Sequence, residues 1–309
     1  MMPAVHDIDL DAYLDRERRH VDAALGRVLD DGLNGAPAAV AEPVRYAVGG
    51  GGKRLRPILC VAAYTAVRAD DDGVVPAAMY ELAASLELIH GYSLVHDNLP
   101  CMDDDDVRRG RPSTHRAFDT PLAVVAGSAM IPLACRTAAR AARALSLAEP
   151  TVSALVRELC VAAGAGGMVG GQVADLEAEG RQLDADELAS VHRRKTGALL
   201  TAALRMGGLA AGAGPAQLAA LDAYGRSVGL AFQIADDLLD VTGTEEVLGK
   251  KAGRDSDLAK ATFPTLLGVE DARRRAEKEV DAALAAIEAA GLSSRELDAL
   301  ARFTVERDR

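Results

Sequence analysis

Residues 76–106 of this chain read PAAMYELAASLELIHGYSLVHDNLPCMDDDD. Pro76 is a residue that helices favour in their first turn. Leu82 and Leu86 follow at the spacing of one helical face, and the apolar stripe continues towards the acidic end of the segment. The stretch therefore predicts a helix over residues 76–98 that carries carboxylates at its C-terminal end.

Helical patterns continue along the rest of the chain, between separators rich in glycine and proline. The predicted segments are residues 122–147, 150–168, 185–211, 215–242, 269–290 and 293–306. Aromatic residues make up only 3% of the chain and Trp is absent, whereas strands favour aromatic and β-branched residues. The sequence contains no alternating strand pattern of useful length and no internal repeat. It therefore predicts an all-α fold, and we expect a single domain over residues 1–309.

Two clusters of carboxylates stand out within these helices. The first begins at Asp97 and includes Asp103, and the second is the run DDLLD from Asp236 to Asp240. Asp236 and Asp240 share one face of a helix because they are four positions apart. Asp97 and Asp103 would lie on different faces of a straight helix, but the interruption at Pro100 can bring them together.

Carboxylates packed this densely repel one another, and burying an unpaired charge is costly. Hard oxygen ligands suit Mg²⁺, which takes one or two protein carboxylates and completes its shell with water and phosphate oxygens. A single run of Asp would be better explained as a solvated helix end. Two runs, each accompanied by a basic motif, favour a pair of metal-binding clusters.

Cations suited to diphosphate accompany both acidic clusters. A glycine run at residues 49–52 precedes Lys53 and Arg56, where backbone and side chains can close around an anion. Arg108 and Arg109 directly follow the first cluster. Further candidates are Lys195, Lys250 and Lys260. Any one of these cations alone is more typical of a solvated surface, but the set as a whole predicts diphosphate binding.

The overall composition argues against several classes of protein. A net charge of −11 is unsuited to binding nucleic acid. The four cysteines are widely spaced without a zinc pattern, so a reducing cytoplasm is the simplest setting. Residues 1–10 lack the apolar core of a signal peptide. The longest apolar stretch, residues 122–135, is shorter than the roughly 18–20 residues of a membrane span, so we expect a soluble protein.

In combination, these motifs resemble the trans-isoprenyl diphosphate synthases, and in particular the bacterial farnesyl and geranylgeranyl diphosphate synthases. The matching segments are GGKRLRP at 51–57, LVHDNLPCMD at 94–103, RRG at 108–110, GGQ at 170–172, KTG at 195–197, FQIADDLLD at 232–240, Lys250 and KATFP at 260–264. They span residues 45–268 in the order of the family. The two-residue insertion in the first acidic motif, Pro100-Cys101, is similar to that of the bacterial enzymes.

The resemblance implies an isoprenoid synthase-type helical bundle around a central active-site cavity, in a homodimer. The implied substrates are isopentenyl diphosphate and an allylic diphosphate, joined head to tail. Three Mg²⁺ ions would be held by Asp97, Asp103 and Asp236, with Asp240 acting through water. The expected catalytic set is Asp97, Asp103, Lys195, Gln233 and Asp236.

Other residues take an expected role from the same resemblance. Those for isopentenyl diphosphate are Lys53, Arg56, His90 and Arg109, and those for the allylic diphosphate are Arg108, Lys195 and Lys250. Lys260 belongs to the same substrate-binding set, and Gln172, Thr196, Phe232 and Gln233 would line the reacting region. Tyr92 lies just over one helical turn before Asp97, where its ring can form a floor under the growing chain. In the family a bulky residue there accompanies short products, which favours farnesyl diphosphate (C15) over geranylgeranyl diphosphate (C20); the alternative is that Tyr92 only packs in the core.

Two positions depart from the pattern of the family. Asn98 stands where the first motif has a second Asp, and Ser128 stands where a Gly-Asp pair is expected. These departures keep open a non-catalytic partner subunit or an enzyme that joins two allylic units. A terpene cyclase is disfavoured, because its second metal motif normally mixes Asn, Ser and Glu.

Overall fold

The computed structural model describes residues 8–68, 74–178, 180–242, 261–292 and 294–306. The helices, numbered in chain order, are α1 Leu10–Gly32, α2 Ala38–Val48, α3 Leu55–Val67, α4 Ala77–Asp97, α5 Thr114–Ala117, α6 Thr120–Ala144, α7 Glu149–Ala163, α8 Met168–Ala178, α9 Ala185–His192, α10 Ala198–Ala211, α11 Pro215–Thr242, α12 Phe263–Leu267, α13 Val269–Ala289 and α14 Arg295–Glu306. A π-helical segment, Arg193–Gly197, joins α9 to α10. The predicted all-α fold is confirmed.

One small hairpin interrupts the helices directly after the first acidic cluster. Strands β1, Val107–Arg108, and β2, Arg111–Pro112, pair antiparallel. The two connecting residues, Arg109 and Gly110, have positive φ angles of 52° and 70°, as expected of a type I′ turn. Strands of two residues are too short to produce an alternating pattern, which is why the sequence did not predict them.

Helix α4 is the central element that carries the first acidic cluster. Its buried residues include Leu82, Leu86 and Leu88, so apolar side chains surround the helix rather than forming one stripe. A helix that is apolar all round is buried on all sides, and α4 packs most extensively against α6. Gly127 of α6 lets the two helices approach, because a Cβ there would collide with the imidazole of His96 on α4.

The second acidic cluster lies on α11, which packs against α10 and α13. One apolar core extends from Tyr13 in α1 to Ala301 in α14. A smaller apolar cluster, which includes Leu230 and Ile234 of α11 and Phe263 of α12, supports the acidic end of α11. The two acidic clusters are therefore anchored by helices that belong to the interior.

Two helical segments are long and apolar enough to cross a membrane by length and composition. They are α6 and the run Glu149–Ala178, and 44% and 39% of their most apolar windows are buried in the structure. The sequence argument counted only the uninterrupted apolar run at residues 122–135, whereas α6 extends well beyond it, so that argument from length was wrong. Met130 and Leu155 of these segments are fully buried, as in the core helices of soluble proteins.

A bidentate ion pair joins α7 to α10. Arg205 donates from Nε and Nη2 to the two carboxylate oxygens of Glu158, both at 2.9 Å. The hydrogen bond from Arg205 lowers the pKa of Glu158 below its ordinary value. A group with a lowered folded pKa stabilises the protein above its unfolded pKa, and the stabilisation disappears as the pH falls through the folded pKa.

We expect Glu158→Gln to lower the free energy of unfolding by about 1–2 kcal/mol at pH 7, because hydrogen bonds to charged groups contribute about that much. The difference from the wild type should shrink as the pH falls below 4.5, the ordinary pKa of Glu. Urea unfolding at pH 7 and at pH 3.5–4.5 measures both effects. Glu149→Gln is the matched control, because its bidentate pair with Arg143 is exposed, and it should leave the stability unchanged. A Glu158→Gln difference that does not depend on pH would contradict this account.

Candidate functional site

The first acidic cluster is formed by a tight turn at the end of α4. Asp97 is the last residue of the helix, and the backbone N–H of Asp103 donates to the carbonyl oxygen of Asp97 at 2.8 Å. The turn at Leu99-Pro100 thus brings the two aspartates together, as the sequence suggested. Burial raises the pKa of Asp97, and the charge of Asp103 raises it further.

Helix α8 and the π-helical segment surround this cluster with polar groups. The Gln172 side chain donates from Nε2 to Oδ1 of Asp97 at 2.8 Å. Lys195 donates from Nζ to Oδ2 of Asp175 at 2.6 Å. Burial lowers the pKa of Lys195, but the carboxylates of Asp175, Asp97 and Asp103 outweigh burial and raise it. Lys195 therefore stays charged beside the aspartates.

Local backbone geometry sets the position of Lys195. π-helical turns are rare and occur frequently at functional sites, and this one contains both Lys195 and Thr196. Gly171 of α8 lies against the backbone at Lys195 so closely that any Cβ would collide with it. A glycine is therefore required at this position, directly before Gln172.

The three aspartates of the second cluster lie in different surroundings. Asp237 is buried, accepts the backbone N–H of Phe263 at 2.9 Å and lies 3.6 Å from Nε2 of His192. It thereby fixes α12 against α9 and α11. Asp236 is half-buried, and its charge acts on Arg56 closely enough to offset part of the lowering of that guanidinium's pKa by burial. Asp240 is buried one turn further along.

The predicted substrate-binding residues Arg56, Arg108 and Arg109 form a group of neighbouring cations, distinct from the acidic clusters. Burial lowers the pKa of Arg56 to about 10, and the nearby charges of Arg109 and Arg108 lower it too. Burial and the same arginines hold the pKa of His90 well below its ordinary value, so its imidazole is neutral near pH 7. The cations of this group therefore repel one another, and a bound anion would relieve that repulsion.

The glycine-rich loop is held by a buried arginine between the two predicted ligands. Arg54 is 5% exposed and donates to Oε1 of Glu87 at 2.6 Å, to Oδ1 of Asp22 at 2.9 Å and to the carbonyl of Val48 at 3.0 Å. It has a positive φ of 52°, which turns the chain into α3. Lys53 beside it is exposed and lies over the ring of Phe303, with Nζ 5.6 Å from the centroid.

The hairpin contacts this loop directly. Arg109 donates from Nη1 to the carbonyl oxygen of Gly51. Gly52, at φ 129°, faces the guanidinium of Arg109 where a Cβ would collide with it. The hairpin and the loop therefore hold Arg109 close to Arg56, consistent with the electrostatic interaction between them.

The remaining predicted residues fall into three groups. Thr196 and Gln233 line a cavity of about 160 Å³ together with Lys195 and Asp237. Phe232 packs half-buried against the main core. Lys250 and Lys260 lie outside the described residues.

Tyr92 and the two departures from the family pattern lie on or next to α4. Tyr92 is 5% exposed, and its ring meets that of His96 edge to face at 5.0 Å. Asn98 caps α4 and is buried, and its Oδ1 has no hydrogen-bond partner in the structure. Ser128 is exposed on α6.

The residues present fit a divalent cation. Asp97 and Asp103 are oxygen donors held side by side, and burial, together with the charge of Asp103, raises the pKa of Asp97. A bound cation would compensate the charge of both carboxylates. Asp97, Asp103 and Asp236 are the residues that would hold Mg²⁺ here.

Sequence reasoning missed three contributors to the site. Asp175 anchors Lys195, and its spacing of three positions from Gln172 on one helical face was the available signal. Glu87 compensates the cationic group from within α4. No local pattern marked the π-helical turn at Arg193–Gly197.

Comparison with known proteins agrees with this geometry. Residues 37–295 match the polyprenyl synthetase family. The chain is 43% identical over 280 residues to farnesyl diphosphate synthase of Escherichia coli, covering 87% of this chain and 90% of that protein. It is 42% identical over 245 residues to geranylgeranyl pyrophosphate synthase 12 of Arabidopsis thaliana, covering 78% and 66%. A crystal structure of an FPP/GFPP synthase from Zymomonas mobilis superposes with a TM-score of 0.79 at 34% identity, covering 96% and 99%.

We expect Glu87→Gln to destabilise the protein by about 3 kcal/mol, because removing one partner of a buried ion pair leaves the other charge uncompensated. The affected guanidinium is Arg54, which is almost fully buried. Glu81→Gln on the same helix is the control, since its partners Arg27 and Arg140 are about half-exposed, and it should cost under about 1 kcal/mol. Chemical denaturation at pH 7 compares the two, and equal losses would contradict the role given to Glu87.

Proposed function

The chain belongs to the polyprenyl synthetase family of prenyltransferases, and we propose that it joins isopentenyl diphosphate to an allylic diphosphate, head to tail. The product is a short-chain trans-prenyl diphosphate. The observation that carries this proposal is the pairing of a carboxylate cluster at Asp97 and Asp103 with a cationic group around Arg56. A metal-bound diphosphate suits the carboxylate cluster, and a second diphosphate suits the cationic group.

The roles of the residues follow from their charge and surroundings. Asp97, Asp103 and Asp236 would hold Mg²⁺, up to three ions for one allylic diphosphate, and Asp240 would contribute through water. Bound Mg²⁺ supplies electrostatic stabilisation of the departing diphosphate. Gln172 orients Asp97 by its hydrogen bond. Lys195 and Arg108 neutralise the negative charge that develops on the leaving group.

The second substrate is held by the other cations. Arg56, Arg109, Lys53 and neutral His90 bind the diphosphate of isopentenyl diphosphate, and the repulsion among them is relieved when the anion binds. The C1–O bond of the allylic diphosphate breaks first and gives the allylic cation and free diphosphate. The double bond of isopentenyl diphosphate then attacks C1 of that cation, and a proton leaves C2 of the isopentenyl unit for the released diphosphate. The protein needs no nucleophile of its own. Thr196, Phe232 and Gln233 line the reacting region and exclude water from the cation.

Product length is the finer part of the proposal, and we infer C15, farnesyl diphosphate. The names of similar proteins include both C15 and C20 enzymes, so they do not decide between the two. Tyr92 supports C15, because a buried aromatic ring one turn before Asp97 limits the depth available to the growing chain. C20 is the alternative.

We propose that the working form is a cytoplasmic homodimer. Helices α6 and α7 carry exposed large apolar side chains, namely Val124, Val125, Ile131 and Val161. Exposed apolar groups on adjacent elements are typical of surfaces that associate. A second copy of the chain is the partner that we propose for this face.

We expect the purified chain to convert isopentenyl diphosphate and a C5 or C10 primer to a linear C15 product in the presence of Mg²⁺. Mass spectrometry of the dephosphorylated alcohols measures it, with a no-metal control. Asp97→Asn and Asp236→Asn should each lower kcat at least 10²-fold, the scale of losing one electrostatic contact in a transition state. Asp30→Asn removes a carboxylate from an exposed pair with Arg45 and should not change the rate.

Other results of this assay would identify the alternatives. A cyclic hydrocarbon would indicate a terpene cyclase, and a product built from two allylic units would indicate irregular coupling. No product with any primer would reject the synthase and favour a partner subunit weakened at Asn98 and Ser128. Activity of the chain alone would exclude that subunit.

We expect Tyr92→Ala to shift the main product from C15 to C20 or longer, because the ring that limits the chain is removed. Tyr92→Phe is the matched control: it keeps the ring and loses only the hydroxyl, so C15 should remain the main product. The same extraction and mass spectrometry report both variants. An unchanged C15 product from a folded, active Tyr92→Ala enzyme would show that Tyr92 packs in the core without limiting the length of the product.

A further inference from the structure

A third group of potential ligands lies beside the hairpin, apart from the carboxylates assigned to Mg²⁺. It consists of Asp104, Asp106 and His115, whose ligand atoms all lie within 4.8 Å of one another. Asp104 and Asp106 are exposed and precede β1, whereas His115 is buried in α5, after β2. The hairpin therefore brings together groups from both of its ends.

The imidazole of His115 points its unused nitrogen at the carboxylates. Its side chain is only 2% exposed, and Nε2 lies 4.0 Å from Oδ1 of Asp104. That distance is too long for a hydrogen bond, and Nε2 has no hydrogen-bond partner in the structure. Leaving a buried nitrogen without a partner is unfavourable, so the position suits a ligand.

The other ring nitrogen is already engaged. Nδ1 of His115 lies 3.0 Å from Oγ of Ser113, which can accept its proton. In that tautomer Nε2 carries the lone pair and faces the two aspartates. Histidines that bind metals commonly donate their second N–H to such a partner, which fixes the ring and the tautomer.

We propose that Asp104, Asp106 and His115 form a binding site for a divalent transition-metal ion, separate from the Mg²⁺ ions of the proposed reaction. One imidazole nitrogen with two carboxylates suits Zn²⁺, Mn²⁺ or Co²⁺, whereas an all-oxygen set suits Mg²⁺. Neighbouring ligand atoms around a tetrahedral ion are about 3.4 Å apart, since each bond is about 2.1 Å. The ligand atoms of this group lie within 4.8 Å of one another, and rotation of the two exposed aspartates towards His115 would close the difference.

Asp106 already has a partner with which a bound ion would compete. Arg116 donates from Nε to Oδ1 of Asp106 at 2.5 Å. The ion would bind the second oxygen of this carboxylate, or it would displace the guanidinium of Arg116. Either is possible because the Arg116–Asp106 pair is exposed and exposed ion pairs are weak. The remaining coordination positions face solvent and would be filled by water.

An ion at this position would stabilise the base of the hairpin. The backbone N–H of Ser113 donates to the carbonyl of Asp106 at 2.8 Å and closes the base of the hairpin. An ion bound across Asp106 and His115 reinforces the same closure. The hairpin carries Arg108 and Arg109, so the ion would stiffen the element that presents them to the site.

The test is pulsed EPR on the full chain, stripped with a chelator and loaded with Mn²⁺ in the presence of excess Mg²⁺. We expect a ¹⁴N coupling on bound Mn²⁺, which all-oxygen sites cannot give. The coupling should vanish in His115→Asn. It should persist in Asp236→Asn, which weakens the all-oxygen site, and in His96→Gln, which removes another histidine near the acidic cluster. Bound Mn²⁺ without nitrogen coupling in the wild type, or coupling unchanged in His115→Asn, overturns the proposal.

A second variant keeps the test decisive if His115→Asn does not fold. Asp104→Asn leaves the core untouched, because the side chain is 57% exposed, and Asn tolerates the positive φ of 47° at this position. We expect the Mn²⁺ concentration at half-maximal nitrogen coupling to rise at least tenfold. An unchanged concentration overturns the proposal. Neither readout depends on catalysis, so a failure of the prenyl transfer assay would leave this result intact.

Discussion

The buried ion pair between Arg54 and Glu87 is the contact on which the site depends. Arg54 links α1 through Asp22, the end of α2 through the carbonyl of Val48, and α4 through Glu87, at the residue where α3 begins. A guanidinium this deeply buried requires a compensating charge. The fixed position of residue 54 therefore also sets the start of α3, and with it the positions of its neighbours Lys53 and Arg56. Burial lowers the pKa of Arg56 and of Arg109, and the charge of Glu87 offsets part of that lowering for both, so one carboxylate compensates several members of the cationic group.

Like charges are held together on both sides of the site, and each side stores repulsion. Asp103 raises the pKa of Asp97, and the arginines lower the pKa of His90. Lys195 places a positive charge beside the acidic cluster, where Asp175 holds its side chain and Asp97 attracts it. Protein groups of opposite charge offset part of this repulsion, and bound ions of opposite sign would relieve the rest. A divalent cation and a diphosphate are such ions, which is why the two proposed ligands fit one site.

Local sequence predicted the features that depend on spacing along one chain. The helix ending at Asp97 and the return of Asp103 through the break at Pro100 followed from periodicity and proline geometry. Contacts between segments far apart in the chain could not be predicted from local spacing. The sequence treated Arg54 as part of a basic motif, whereas its burial depends on Glu87 from another helix. The anchoring of Lys195 by Asp175 depends on a π-helical turn that no residue pattern marks.

The buried position of α4 connects metal binding to the proposed control of chain length. Asp97 and Tyr92 lie on the same helix, and α4 is buried on all sides. The distance between them is therefore fixed by the helical rise of about 1.5 Å per residue rather than by loop conformation. His96 packs against the ring of Tyr92 at 5.0 Å and fills the space left by Gly127, where any Cβ would collide with the imidazole. A shift of the ring thus requires His96 and α6 to move as well. The proposed floor under the aspartates is consequently part of the α4–α6 interface.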